Sequence, residues 1–275
     1  MTLDPKQIVL IADIPPIPQL LHQIMSLADN PSTTIQKLES LVNQEPAMIT
    51  KILKWVNSAL YSFPNKISSV KHAMIILGFS TVRSIASGLA LMNAFENIPG
   101  INKEQVLSIW KQGLEAAQYA KILAAKEKSD IQDIIYLSAM IQNVGEIVLS
   151  QYFNEKYTNF ISVNLFPHTE DENTQFETNH AIVGAALLTE WRFSDTVCQI
   201  VLNHHEKLDE SPFKKELTYI TIANRLTELS MSEDTWRTDF LCDTERDFLN
   251  ITNEYLLECK PSLLGVPKAV KLILE

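Results

Sequence analysis

Three histidines lie on stretches with helical patterning, and they are the residues of this chain best suited to bind a metal ion. His180 shares an apolar stripe with Val183, and His204 shares one with Val201, so both point toward the interior. Neighbours on a helix diverge by about 100°, which lets His204 and His205 flank one cavity. Three imidazoles from two helices can hold zinc if a fourth ligand or a water completes the site. The alternative, core histidines that each make one hydrogen bond, stays open.

Gln142 and Asn143 form a neutral amide pair inside the apolar stretch 134–145. A buried amide without hydrogen bonds costs roughly 1–3 kcal/mol. A polar cavity shared with His180 and His204 would satisfy both side chains. The pair therefore marks either an altered ligand pocket or a hydrogen-bonded part of the core.

Composition favours a globular protein and disfavours nucleic acid as its ligand. The chain has 275 residues, 46% of them hydrophobic, which suffices for a buried core. Its formal net charge of -10 repels phosphate backbones, and the positive residues do not cluster.

No stretch predicts membrane insertion, and the chain is expected in the cytoplasm. Its longest uncharged stretches, 84–95 and 134–145, fall short of the roughly 20 residues that span a bilayer. The first residues lack the basic and apolar regions of a signal peptide. Cys198, Cys242 and Cys259 show no paired spacing, which suits a reducing compartment, and each is interpreted as a small core residue.

Few glycines and repeated 3.6-residue periodicity predict an all-α fold. Five short helices are expected before Pro99-Gly100, which gives a helical subdomain over 1–100 and a second over 101–275. The second part should contain a long helix over 102–126, then helices that carry the amides and the histidines. Its last helices are predicted over 217–229, 244–259 and 262–274. After the helix that follows the amide pair, the acidic segment 166–177 is predicted to be a solvated loop with His168 exposed.

Several short motifs, in this order and spacing, resemble one known family. They are Ile14-Pro15-Pro16-Ile17-Pro18, Glu45-Pro46, Ile67-Ser68-Ser69-Val70, Leu77-Gly78, Trp110, the segment 139–149, His180-Ala181-Ile182-Val183-Gly184, Trp191 and His204-His205-Glu206. Over roughly residues 13–208 the chain resembles the HDOD family. That family is a degenerate branch of the HD superfamily of metal-dependent phosphohydrolases and is found as bacterial signalling modules. The resemblance implies an HD-like helical domain preceded by a five-helix subdomain.

The resemblance also implies that four metal ligands have been replaced by amides. The His-Asp pair that names the superfamily aligns with Gln142-Asn143, a histidine ligand aligns with Gln112, and a late aspartate aligns with Asn224. The remaining ligand positions, His180, His204 and His205, keep their histidines. A dication in a partly buried site would lose two facing carboxylates, which disfavours hydrolysis by the superfamily mechanism.

The leading hypothesis is a non-catalytic regulatory module without a cofactor, whose former metal cavity binds a partner protein or a small ligand. The expected partners are signalling proteins, including those of a cyclic di-GMP pathway. The chief alternative is a metal-dependent phosphohydrolase that acts on a nucleotide or phosphodiester through the retained histidines and Fe, Mn or Zn. A third hypothesis is a scaffold whose N-terminal helices dock a partner.

Overall fold

A computed structural model describes residues 4–27, 35–58, 63, 65–95, 98, 101–206, 211–231 and 240–274, and within them the regular structure is helical throughout. The all-α prediction is confirmed. The helices are α1 Pro5–Ile11, α2 Gln19–Ser26, α3 Ile35–Val42, α4 Pro46–Val56, α5 Val70–Leu77, α6 Phe79–Phe95, α7 Lys103–Leu123, α8 Ser129–Ile141, α9 Val144–Phe153, α10 Glu155–Val163, α11 Thr169–Phe176, α12 His180–Glu190, α13 Asp195–Asn203, α14 Lys214–Met231, α15 Asp243–Leu249 and α16 Asn253–Leu274.

The five helices predicted before residue 100 are α2 to α6, and one further helix, α1, precedes them. Pro5 stands in its first turn and the Asp4 side chain caps it, a start signal that the sequence analysis overlooked. This helix packs against α9 and α12 rather than against the other N-terminal helices. The expected boundary at Pro99-Gly100 lies outside the described residues, and the division at residue 100 stays a prediction.

Helix α7 is the centre of the second half of the chain. It packs along α8, α14 and α16, and its buried face includes Trp110 and Gln112. At Gly113 the crossing with α8 is so close that an added Cβ would lie 2.2 Å from the Met140 carbonyl oxygen. The tight crossing brings Gln112 of α7 near the end of α8, where Gln142 follows.

A second close crossing joins α9 to the start of α12. A Cβ added to Gly145 would lie 2.0 Å from the His180 carbonyl oxygen and 2.7 Å from the Gly184 backbone nitrogen. Since no side chain fits there, glycine allows the backbones of α9 and α12 to touch. The amide pair before α9 and the histidine that opens α12 are thereby held side by side.

The region where two helices were predicted does contain two, α15 and α16, but the break between them lies elsewhere. Helix α16 runs through Pro261 and Pro267, and the break lies earlier, at Asn250, whose φ is 53°. Asparagine tolerates this left-handed conformation, so α15 ends there. Burial of Leu263 and Val266 offsets the cost of the prolines, about 3 kcal/mol each in an ordinary helix. The predicted bounds were therefore wrong.

The cysteines divide by environment. Cys198 and Cys259 are buried, as predicted, whereas Cys242 is exposed and precedes α15 as its N-cap. The interpretation of Cys242 as a core residue was wrong, because the residue lies at the exposed N-cap of α15, where its thiol contacts the Thr244 hydroxyl. Within the described ranges, no helix combines the length and apolar character needed to cross a membrane.

Replacing Gly145 with alanine tests the α9–α12 crossing. The Cβ of Gly145→Ala would meet rigid backbone, so we expect a loss of about 3 kcal/mol in the free energy of unfolding measured with urea. Gly88→Ala is the matched control, because its Cβ would meet only the flexible end of Met140. The gain in helix propensity should keep that variant within about 1 kcal/mol of the parent. Equal losses in the two variants would contradict the close crossing.

Candidate metal and ligand site

The three histidines meet at one point. His180 is the first residue of α12, His204 follows the last turn of α13, and His205 is next in the chain. The Nε2 atom of His180 lies 3.2 Å from Nε2 of His204 and 3.1 Å from Nε2 of His205. His180 and His204 are buried, whereas His205 is exposed on one side. Among the described residues they form a group whose ligand atoms lie within 4.8 Å of one another.

The outer ring nitrogens, Nδ1, of His180 and His204 both have hydrogen-bond partners, and these determine whether the inner nitrogens, Nε2, carry a lone pair. Nδ1 of His204 lies 2.6 Å from the Val201 carbonyl oxygen, and Nδ1 of His180 lies 2.6 Å from Oε2 of Glu172. A carbonyl only accepts, so His204 donates from Nδ1 and a neutral ring turns the lone pair on Nε2 inward. The same holds for a neutral His180. Two lone pairs 3.2 Å apart repel unless a proton or a metal ion lies between them.

The pKa values of the rings differ accordingly. Burial alone would lower the pKa of His180, but the charge and hydrogen bond of Glu172, with Glu146, outweigh burial and raise it. Burial, and then the neighbouring histidines, hold the pKa of His204 well below its ordinary value. Desolvation of the ring and the His180 charge lower the pKa of His205. At most one ring therefore carries a proton charge at neutral pH, and the other two are free to act as ligands.

Glu172 orients His180 and was missed by the sequence analysis. It lies in α11, within the segment 166–177 that was predicted to be a solvated loop, and that prediction was wrong. Its side chain is fully buried, accepts hydrogen bonds from the Tyr157 hydroxyl and the His180 backbone nitrogen, and contacts Nδ1 of His180. Glu172 was overlooked because it belongs to a run of three acidic residues, which is typical of an exposed segment. Its four-residue spacing from Phe176 is the signal that could have indicated a helix with Glu172 and Phe176 on the same buried face. His168, before α11, is exposed as predicted.

Glu146 is a second buried carboxylate that the sequence analysis did not single out. It lies in the first turn of α9 and is 1% exposed. One of its carboxylate oxygens has no hydrogen-bond partner in the part of the chain that the structure describes. Burial raises the pKa of Glu146 to about 8, against the lowering effect of His180. A lone acid within the apolar run 144–149 is the signal that could have identified it.

The four amides bind one another in two pairs. Gln142 and Asn224 exchange hydrogen bonds, with Nδ2 of Asn224 3.1 Å from Oε1 of Gln142 and Nε2 of Gln142 2.7 Å from Oδ1 of Asn224. Gln112 donates to the Leu165 carbonyl oxygen at 2.9 Å and accepts a long bond of 3.4 Å from Asn143. Three of the four amide oxygens, those of Gln112, Gln142 and Asn224, therefore accept hydrogen bonds within the protein.

All seven predicted site residues line one cavity of about 450 Å³. Gln112 comes from α7, Gln142 and Asn143 from the junction of α8 and α9, and Asn224 from α14. The three histidines line the same cavity from α12 and the end of α13. We call the part of the lining formed by the three histidines the histidine wall and the part formed by the four amides the amide wall. Glu146, His168, Glu206, Arg225, Glu228 and Glu245 also line the cavity. Arg225 donates to Glu245 at 2.7 Å, so its charge is already paired.

The histidine wall fits one metal ion, and the amide wall does not fit a second. Nitrogen ligands of zinc lie about 2.0–2.1 Å from the ion, which places two of them about 3.3 Å apart in a tetrahedral site. The observed separations of 3.1 and 3.2 Å agree with this spacing. Neutral amides provide no charge for a second ion, and three of their four oxygens already accept hydrogen bonds.

A profile of the HDOD domain matches residues 14–207 of the chain. The chain belongs to the HDOD family. The match confirms the resemblance drawn from the motifs over roughly residues 13–208. An uncharacterized protein of Treponema pallidum (strain Nichols) is 24% identical over 222 residues, which are 78% of this chain and 42% of that protein. The chain thus spans less than half of that relative's length.

Solved structures with similar folds carry names that point to different functions. An HDOD domain protein of unknown function from Geobacter sulfurreducens has a TM-score of 0.73 at 19% identity, over 98% of this chain and 99% of that one. A protein from Marinobacter aquaeolei VT8, named as a candidate signal transduction protein, has a TM-score of 0.71 at 22% identity, over 96% of this chain and 59% of that one. A candidate phosphohydrolase from Shewanella amazonensis SB2B has a TM-score of 0.65 at 16% identity, over 96% and 93%. At these identities the likeness shows the HDOD helical fold.

A double-mutant cycle tests the amide pair. Gln142→Ala and Asn224→Ala should each destabilise the protein, because each leaves a polar partner unsatisfied at a cost of roughly 1–3 kcal/mol. The double variant should lose less than the two single losses together, with a coupling of about 1 kcal/mol or more in urea denaturation. Gln142→Ala combined with Thr50→Ala, an exposed residue of α4, is the additive control. Additive behaviour of Gln142 and Asn224 would show that their hydrogen bonds do not stabilise the fold.

Proposed function

We propose that this HDOD chain is a regulatory module of bacterial signal transduction that acts by binding and does not hydrolyse phosphodiesters. The observation that carries the proposal is the pairing of the four amides. Each amide at an expected ligand position makes a hydrogen bond to another amide, and the oxygens of Gln112, Gln142 and Asn224 are the acceptors of these bonds. A hydrolytic centre that needs two ions therefore lacks the groups that would hold the second ion.

Electrostatics supports the same proposal. Two-metal hydrolysis stabilises both the attacking and the leaving oxygen, and the carboxylates of such a site cancel the charge of the ions. Asn143 and Asn224 supply no charge where the resemblance implies aspartates. The amide pairs instead join α7 to α9 and α8 to α14 and so hold the cavity in one shape, as a binding site requires.

The cavity and its surroundings suit a partner protein or a small ligand rather than nucleic acid. Glu206, Glu228 and Glu245 lie around the cavity, and the chain as a whole carries a net charge of -10. The proposed partners are signalling proteins, with those of a cyclic di-GMP pathway among them. The name of the Marinobacter protein supports a signalling role, while cytoplasmic location and the scaffold role stay predictions.

A second candidate function is metal-dependent hydrolysis through the histidines alone. The convergence of the three Nε2 atoms favours it, since one ion held there can activate a water molecule. The name of the Shewanella protein points the same way. Bound metal would supply a Lewis acid, and the chain would contribute the imidazoles and the shape of the cavity.

An activity assay separates the two functions. Full-length protein without a histidine tag is loaded in turn with Mn²⁺, Fe²⁺ and Zn²⁺ and is assayed on bis(p-nitrophenyl) phosphate and cyclic di-GMP. We expect no turnover above that of His204→Ala, because the second ion site is absent. Turnover that is lost in His204→Ala together with stoichiometric metal would overturn the proposal in favour of hydrolysis.

Restoring the expected ligands provides the positive control. The variant Gln112→His, Gln142→His, Asn143→Asp, Asn224→Asp returns two imidazoles and two carboxylates to the amide wall. If the amides are what prevents a second ion from binding, metal analysis of the folded variant should show one ion more per chain than the parent.

A further inference from the structure

Two buried carboxylates face the histidine cluster, and the cavity offers no free positive side chain to balance them. Glu172 and Glu146 are 0% and 1% exposed. Among the described residues that line the cavity, Arg225 is the one permanent cation, and it is bound to Glu245. Buried charge without a partner is costly, by several kcal/mol for an isolated ion. A cation on the histidine side of the cavity would therefore favour the ionised form of Glu146.

We infer that Glu146 and Glu172 supply the counter-charge for a single divalent cation held by His180, His204 and His205. When the ion has displaced the protons of His180 and Glu146, three neutral imidazoles, two carboxylates and one dication make a group with no net charge. The inference concerns the cavity assigned above to regulation and goes beyond that role by naming its ligand class. It depends on the cavity being a binding site, and it holds whether or not the chain hydrolyses a substrate.

The two carboxylates have different roles. Glu172 accepts from Nδ1 of His180, so it sets the orientation of that ring and raises the basicity of its Nε2. Its other contacts, with the Tyr157 hydroxyl and the His180 backbone, hold it in place before any ion arrives. Glu172 is thus a positioning residue that acts through His180.

Glu146 acts through its charge, and one of its carboxylate oxygens has no hydrogen-bond donor unless a ligand supplies one. It follows Asn143 by three residues, lines the same cavity and keeps one buried oxygen without a hydrogen bond among the described residues. A hydrated cation would supply the donor that this oxygen lacks. A buried, unpartnered carboxylate on the wall of a cavity that also holds three convergent imidazoles points to a cation and not to an anionic ligand.

The charge balance also explains why one ion fits here and two do not. The resemblance places aspartates at Asn143 and Asn224, and their loss removes negative charge from the amide wall. Glu146 and Glu172 place two carboxyl groups beside the histidine wall, and these supply two negative charges once a cation favours their ionised forms. The site is neutral with one dication and would be strongly positive with two.

Zinc titration tests the inference directly. Untagged full-length protein is stripped with a chelator and titrated with Zn²⁺ against a competing chelating dye. We expect Glu146→Gln and Glu172→Gln each to weaken Zn²⁺ binding about 10- to 100-fold, the range typical of residues that support metal ligands. Glu228→Gln is the matched control, since it removes one exposed charge from the same cavity and should change affinity less than about threefold.

Thermal melting separates charge balance from a structural role. Without metal, Glu146→Gln should be at least as stable as the parent, because it removes a buried carboxylate that lacks a partner. With Zn²⁺ its melting temperature should rise less than that of the parent, because the ion binds more weakly. A merely structural role would lower both values together and would overturn the inference.

Several other results of the Zn²⁺ titration would decide whether the inference holds. Parent protein that binds no Zn²⁺, or binds it equally well after His204→Ala, overturns the inference. So does a folded Glu146→Gln variant with unchanged affinity, and if Glu172→Gln does not fold, Glu146→Gln alone decides. Tight, Glu146-dependent Zn²⁺ binding together with phosphodiesterase activity would support this inference and overturn only the proposed regulatory function.

Discussion

The contact between the backbones of α9 and α12 is the constraint on which the cavity depends. Gly145 lies so close to the His180 carbonyl oxygen that no side chain fits between them. Helix α9 begins directly after Gln142-Asn143, and α12 begins with His180. Because the two helix starts touch, residues almost 40 positions apart in the chain line one cavity.

From that contact the site divides into two walls of different chemistry. On one wall, Gln112, Gln142, Asn143 and Asn224 use their hydrogen bonds on the protein itself. On the other wall, acceptors on the outer nitrogens orient His180 and His204, and Nε2 of His180 lies beside Nε2 of His204 and of His205, so that the three inner nitrogens converge. In this account the cavity combines one cation site with one hydrogen-bonded, neutral wall.

Much of this could be predicted from the sequence, for physical reasons. The motifs predicted the all-α fold and the family, and all seven residues named from them line the same cavity. Periodicity located α7 and the helices of the histidines because their buried faces are long. It failed where local signals are weak or conflict, as in α11, whose acidic residues hid the buried Glu172, and in α16, where packing overrides two prolines. Glu146 escaped notice because burial of a lone acid is a tertiary property, and so is the pairing of the amides.

The most direct test of the account is the number and place of metal ions in the cavity. Crystals of the full chain loaded with Zn²⁺ would be measured at the zinc absorption edge, so that anomalous scattering locates each ion. The account predicts one strong peak among the Nε2 atoms of His180, His204 and His205, and none beside Gln112, Gln142, Asn143 and Asn224. A second peak on the amide wall, or no peak between the histidines, would contradict it.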